Sequence, residues 1–160
     1  MIPEYDRLLK DSLFQEWQKN HSTAFLTHFF CHLDSQMQKK SGWDIGFYDK
    51  EKMTVFVVND KIAIKPEDDV FKKPGEVVEK LVLDDVKVNF EQAIETAKNK
   101  YPELFPKVLL GDGFLILQRY KELIWNFTFI DKQLRFLNIK IDAVDGKVLS
   151  HQAVEMVQKK

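Results

Sequence analysis

Three residues in the N-terminal half have types and spacing that could do chemistry. His28 and His32 stand four apart with Cys31 between them. On a helix that spacing sets two imidazoles on one face, the arrangement by which paired histidines hold a metal ion. A thiol next to an imidazole is also the pair from which a nucleophilic cysteine is made. Both readings demand more than the sequence supplies. Structural metal sites take four ligands and open catalytic sites three, and no acidic third ligand has a fixed place here. Sulfur and imidazole one or three residues apart on a helix rarely align, and a third orienting group is missing. The expectation is no metal and no catalytic residue, with these side chains on a boundary or solvated face away from the Phe25, Phe29, Leu33 stripe.

The acidic and glycine-rich positions invite the same test. Asp142 and Asp145, with Asp131 and Asp112 nearby, could suggest calcium, but the alternating Asp ligands and distal Glu of an EF-hand loop are absent. Asp145-Gly146 reads as turn chemistry, Gly supplying positive φ, and Asp142 can accept bonds from backbone amides beside that turn. Gly111-Asp112-Gly113 lacks the spacing and following Lys of a phosphate loop and is also a turn. His151 is expected at the surface.

The elements that must position these residues follow from composition and periodicity. The 160 residues are 44% apolar, enough to fill the core of one domain or of two small subdomains. With 24 basic against 25 acidic residues there is no positive surplus to neutralise phosphates, so nucleic acid is not an expected partner. The 13 Phe supply large buried area that needs no hydrogen-bond partner. A lone cysteine excludes an intrachain disulfide and a multi-cysteine zinc site. No apolar window of about 18 residues occurs, and no basic-then-apolar leader opens the chain. Membrane insertion is not expected. The place of action is expected to be the cytoplasm as the chain is written, or outside it if a leader has been removed.

Leu8, Leu9, Leu13, Phe14 and Trp17 predict a helix over 5–19. Ser22 or Thr23 can cap a second helix whose stripe is Phe25, Leu26, Phe29, Phe30, Leu33 and Met37, stopped at Lys39-Lys40-Ser41-Gly42. The period then changes to two: Trp43, Ile45 and Phe47 alternate with Asp44, Gly46 and Tyr48, and a meander continues through 53–58 and 62–64 to Pro66. Residues 67–75 read as a loop, and Leu81-Val82-Leu83 as a short strand. Asn89 and Gln92 form a capping-box pattern for a third helix ending at Pro102. Strands follow over 114–119, 124–130 and 134–141, with a last one over 147–151; the tail from Ala153 is polar enough to fray.

Shifting the sequence by 82 positions lays Trp43-Asp44-Ile45-Gly46-Phe47-Tyr48-Asp49-Lys50 on Trp125-Asn126-Phe127-Thr128-Phe129-Ile130-Asp131-Lys132, with Trp, Phe, Asp and Lys coinciding. No strand between the second expected helix and Trp43 answers to 114–119. A division at 1–75 and 76–160 is expected, each part a helical element plus an antiparallel meander.

Within the second part, the helix opening Asn89, Phe90, Glu91, Ala93 and Ala97, the strand at Trp125, and the ending Ile141-Asp142-Ala143-Val144-Asp145-Gly146-Lys147-Val148 resemble the PepSY family over about 88–152, with the first part a degenerate second copy. The resemblance implies an α+β fold, a cystatin-like curled antiparallel sheet around a helix, and a noncatalytic role. Family members occur beside secreted peptidases, as in propeptides that are thought to restrain them. The expected function is accordingly a noncatalytic binding or regulatory module acting through protein contacts, without cofactor, its partner a peptidase or a membrane-associated protein. The alternative is a carrier of a small apolar ligand in the concavity of the sheet. The faces Trp43, Ile45, Phe47 and Trp125, Phe127, Phe129 are either an apolar binding face or simply the core, because one-sided antiparallel strands normally bury their apolar face.

Overall fold

The structure is a computed structural model that describes residues 2–70 and 75–155. Its elements are helices α1 (Pro3–Lys10) and α2 (Ser12–Lys19), strands β1 (Phe25–Leu33), β2 (Trp43–Asp49), β3 (Lys52–Val58), β4 (Ile62–Ile64) and β5 (Asp68–Asp69), a 3₁₀ turn (Leu83–Asp85), helix α3 (Phe90–Leu104), and strands β6 (Leu110–Tyr120), β7 (Glu122–Asp131), β8 (Arg135–Asp142) and β9 (Val148–Glu155). The strands form one open antiparallel sheet in the order β4-β3-β2-β1-β6-β7-β8-β9, with β5 also paired to β3. The fold class is α+β, as expected. Ala153, Val154 and Glu155 are held in β9; the rest of the expected fraying tail, and residues 71–74 of the expected loop, lie outside the described residues.

The largest correction concerns the second helix. Residues 25–33 are a strand, β1, paired on one side with β2 and on the other with β6. The error has a physical cause. A strand in the middle of a sheet can carry apolar groups on both faces: Phe29, Cys31 and Leu33 are buried inward, while Phe30 stacks on Phe114 on the outer face at 5.4 Å. Such a run loses its period of two and imitates a helical stripe. A register shift between Leu26 and His28 blurs the alternation further. β1 stands beside β2 as β6 stands beside β7. Each half is thus a helical element followed by a four-stranded meander, and the two meet where β1 pairs with β6. The 82-residue offset carries Asp49 at the end of β2 onto Asp131 at the end of β7, and both carboxylates are buried.

Two smaller differences follow from local backbone chemistry. The first expected helix is two, broken at Asp11, whose extended backbone ends α1 and whose Oδ1 accepts from the Leu13 amide to cap α2. Leu81–Leu83 is not a sheet strand: Leu81 donates its amide to Leu26 and is buried, and Leu83 opens the 3₁₀ turn. The third helix begins as expected, with Asn89 accepting from the Gln92 amide and the Gln92 side chain accepting from the Asn89 amide; Pro102 lies inside it, and it runs on to Leu104.

The inner face of the sheet carries α1, α2 and α3. Phe14 of α2 packs on Phe47 and Phe56 at 5.1 and 5.3 Å, Tyr5 of α1 on Phe29 at 5.5 Å, and Ala93, Ile94 and Ala97 of α3 are buried on the same continuous core. The inward alternation of β1 predicts opposite costs along one strand. Phe29→Ala should lower the unfolding free energy by about 3–5 kcal/mol, and the exposed His32→Ala should change it by less than about 0.5 kcal/mol, measured by urea denaturation.

Candidate functional site

His28 and His32 lie on the outer face of β1, four residues apart along a strand and so separated by about 13 Å at their backbones. Phe30 stands between them, its ring 4.9 Å from that of His32. A strand cannot bring these two imidazoles onto one ion. Among the described residues no group of three or more His, Cys, Asp or Glu side chains could hold a metal. Cys31 does not share their face: it points into the core beside Phe29 and Leu33, and burial pushes its thiol up to about 12. His28 is a packing residue. Its imidazole lies over Gly46, where a Cβ would fall 2.0 Å from the ring, and its Nδ1 is 2.9 Å from Thr27 Oγ1.

The acidic positions do the backbone work expected of turns. Asp142 Oδ1 accepts from the amides of Val144 and Asp145 at 2.7 and 3.1 Å, Asp145 Oδ1 accepts from Lys147 at 2.8 Å, and Gly146 has φ +80°. Ala143 is fully buried, and its carbonyl accepts from both Lys87 and Val88, tying the approach to α3 against the end of β8. Asp131 accepts from the Gln133 and Arg135 amides and the Arg135 guanidinium. Burial raises its carboxyl, but these donors outweigh burial and hold it below the ordinary range. Asp112 is surface-placed and pairs with Lys40 at 2.8 Å. Gly111 and Gly113 belong to β6, not to a turn, and a Cβ on Gly113 would meet the Thr128 carbonyl at 2.2 Å. His151 is exposed, with its ring 5.9 Å from Phe105.

The six aromatic and aliphatic positions of β2 and β7 are buried: Trp43, Ile45, Phe47, Trp125, Phe127 and Phe129 line the core under the helices. A cleft of about 340 Å³ lies beside the join of β1 and β6. Its floor is made by Trp43 and Trp125, whose ring centroids are 6.5 Å apart, and by Phe90 at the start of α3, 5.4 Å from Trp43 and 6.3 Å from Trp125. Trp125 satisfies its indole by donating to the Val88 carbonyl at 2.8 Å. Ile2, Leu83 and Val86 form apolar walls. At the rim, the Lys39 ammonium stands 5.2 Å from the Trp43 ring and 3.4 Å from Glu4 Oε1.

This arrangement can hold a group with an apolar body and polar ends; it does not present a nucleophile beside a base. Sequence reasoning located the two tryptophans through the repeat but read Lys39 only as a helix stop and did not single out Glu4, Leu83 or Val86. These four come from the α1 start, the β1–β2 connection and the stretch before α3, and no sequence spacing relates them.

Comparison with known proteins agrees with the fold. The model of the PepSY family, described as peptidase propeptide and YPEB domain, matches residues 87–152, the stretch over which the sequence resembles it. The matched segment contains the capping box of α3, Trp125 and the Ala143 turn. No curated protein matches the chain. A crystal structure from Clostridium difficile 630, described as that of a candidate lipoprotein, is similar with a TM-score of 0.56 and 16% identity, over 88% of this chain and 90% of that one. No helix among the described residues is long and apolar enough to cross a membrane.

Two groups give checkable chemistry. With its thiol held neutral and buried, Cys31 should react with iodoacetamide at pH 8 far more slowly in the folded protein than in urea, as read by mass spectrometry. Burial lowers the His28 pKa, with Asp44 opposing more weakly. The unfolded imidazole, which titrates near about 6.5, therefore binds protons more readily than the folded one. Stability from this group is present above that pH and falls as pH drops below it; His28→Asn should flatten the decline between pH 7 and 5 in urea unfolding.

Proposed function

We propose that the chain is a noncatalytic PepSY-type module that regulates a peptidase through protein contacts, receiving an apolar side chain of its partner in the seam cleft. The observation that carries this reading is the cleft itself: aromatic floor, apolar walls and an ion pair at the rim suit a side chain presented by another protein. The family match supports the peptidase side, since the family is described by its peptidase propeptides. The same reading takes the N-terminal half as a diverged second PepSY-like unit, supported by the Trp43/Trp125 offset and by the mirrored strand order about β1 and β6. The candidate lipoprotein among structural neighbours supports a setting outside the cytoplasm at a membrane surface.

Carriage of a small apolar ligand is the second reading, favoured by a cleft volume of 340 Å³, within the range of about 300–1,000 Å³ usual for ligand sites. A titration into a thiol-independent, thermolysin-like metallopeptidase separates the two. Slowing of peptide hydrolysis that saturates with added chain, and that is abolished by Leu83→Glu at the cleft wall without loss of thermal stability, is the expected outcome. No slowing at large excess overturns the peptidase reading. One-to-one binding of a hydrophobic fluorescent dye, lost in Leu83→Glu, would favour the carrier.

A further inference from the structure

The ion pair at the rim of the cleft is also the rim of something else. Glu4 and Lys39 border a second concavity, of about 500 Å³, whose other walls include Arg7, Lys40, Asn59 and Asp60. Its cations stand on fixed backbone. Lys39 pairs with Leu33 in a strand-like bridge, the Lys40 amide donates to the His32 carbonyl at 3.0 Å, and the Gly42 amide donates to Asn59 Oδ1 at 2.6 Å. A Cβ on Gly42 would run into the Val58 carbonyl, so this connection lies directly on the end of β3. Arg7 reaches over from α1, its guanidinium donating to the Asn59 carbonyl.

The charges around this concavity do not cancel. Three cations, Arg7, Lys39 and Lys40, face two carboxylates, Glu4 and Asp60. Lys39 is taken up by Glu4. Lys40 turns outward to Asp112 in a pair whose side chains are 47% and 65% exposed, which water and salt screen. Arg7 forms no ion pair among the described residues; a carbonyl uses one of its N–H donors and leaves its charge unmatched. The carboxylate of Glu91, by contrast, lines the cleft and not the second concavity.

We infer that the partner segment docking here carries an aspartate or glutamate within two residues of the apolar side chain that enters the cleft, and that Arg7 and Lys40 receive its carboxylate. The inference rests on the cleft being a docking site and names the chemistry of what docks. Two depressions divided by a ridge fit an extended chain, whose same-side side chains recur about every 7 Å, rather than one compact ligand. The guanidinium can take a carboxylate in paired N–H···O bonds, and Lys40 adds a point charge by leaving its weak surface partner. A basic residue at that position would meet Arg7 and Lys40, and an acid on the other flank would meet Glu91, so repulsion sets the polarity of the segment.

Random peptides of about twelve residues, displayed on phage and selected on the full chain, test this. Enriched peptides are expected to carry an apolar residue with Asp or Glu within two positions of it. On the Arg7→Glu chain the same selection should keep the apolar residue and exchange the acid for Lys or Arg. A synthetic peptide of the first set, followed by fluorescence anisotropy, should bind the Arg7→Glu chain about tenfold more weakly. The same peptide with its acid changed to Lys should show the reverse order, an exchange that damage to the fold cannot produce. Lys40→Glu should act in the same direction with an unchanged thermal midpoint. Enrichment of an apolar residue without an acid, or an acid preference indifferent to Arg7→Glu, would overturn the inference and leave the cleft reading standing. Selection that yields no peptides, or peptides indifferent to Leu83→Glu, would sink the cleft reading itself. Displacement of the synthetic peptide by dodecanoate at about 100 μM would assign the same chemistry to a free carboxylate and overturn the protein segment as occupant.

Discussion

The pairing of β1 with β6 is the constraint on which the rest of this molecule depends. It is the sheet contact through which two four-stranded meanders become one surface, running from His28 against Gln118 to Leu33 against Gly113. Its inward residues, Phe29, Cys31 and Leu33 on one strand and Leu115 and Leu117 on the other, are buried to 1% exposure or less. Their burial stabilises the join, and the join decides which helices share a core. Close approach is secured from both sides: Gly113 admits the Thr128 carbonyl on the β7 side, and Gly46 admits the His28 ring on the β2 side. Side chains at either position would push a neighbouring strand or ring out of place.

A second fastening holds α3 to that sheet. The turn after β8 closes on itself through Asp142, Asp145 and Gly146, leaving the Ala143 carbonyl free to receive the amides of Lys87 and Val88. Val88 in turn accepts the Trp125 indole. The family's ending of Asp, Ala and Gly therefore has a mechanical content: Asp gathers amides, Ala is small enough to be buried where the chain approaches α3, and Gly takes the left-handed conformation of the turn. Phe90 is delivered by this fastening to the seam, where it meets both tryptophans. The cleft exists because two independent fastenings converge on it, the strand join from below and the α3 approach from above.

Much of this was legible in the chain. The capping box at Asn89, the Asp145-Gly146 turn, the alternating strands from Trp43 and Trp125, and the PepSY resemblance all rest on neighbours a few residues apart, where local backbone chemistry and side-chain period determine the outcome. Both tryptophans were also found, because a rare residue repeated at a fixed offset is a one-dimensional signal. β1 was misread for the opposite reason. Its outer face is covered in part by Phe114, a residue far along the chain, and apolarity on two faces removes the alternation that distinguishes a strand from a helix. With β1 taken for a helix, the pairing of the histidines across one helical turn followed, and with it a metal and a thiol to consider.

What the sequence by itself determined was therefore the local grammar: where α3 is capped, where the strands of each meander turn, and the PepSY resemblance of the C-terminal half. Only the tertiary structure decided that His28 and His32 are far apart while Cys31 is sealed in the core, that the two aromatic strand faces are buried, and that Lys39, Glu4, Leu83 and Val86 gather around one cleft. The physical reason is that burial and proximity across a sheet depend on the partner strand and on the layer above it. A strand's own residues specify its two faces, but not which neighbour lies beside each edge or how far the helices cover the inner face.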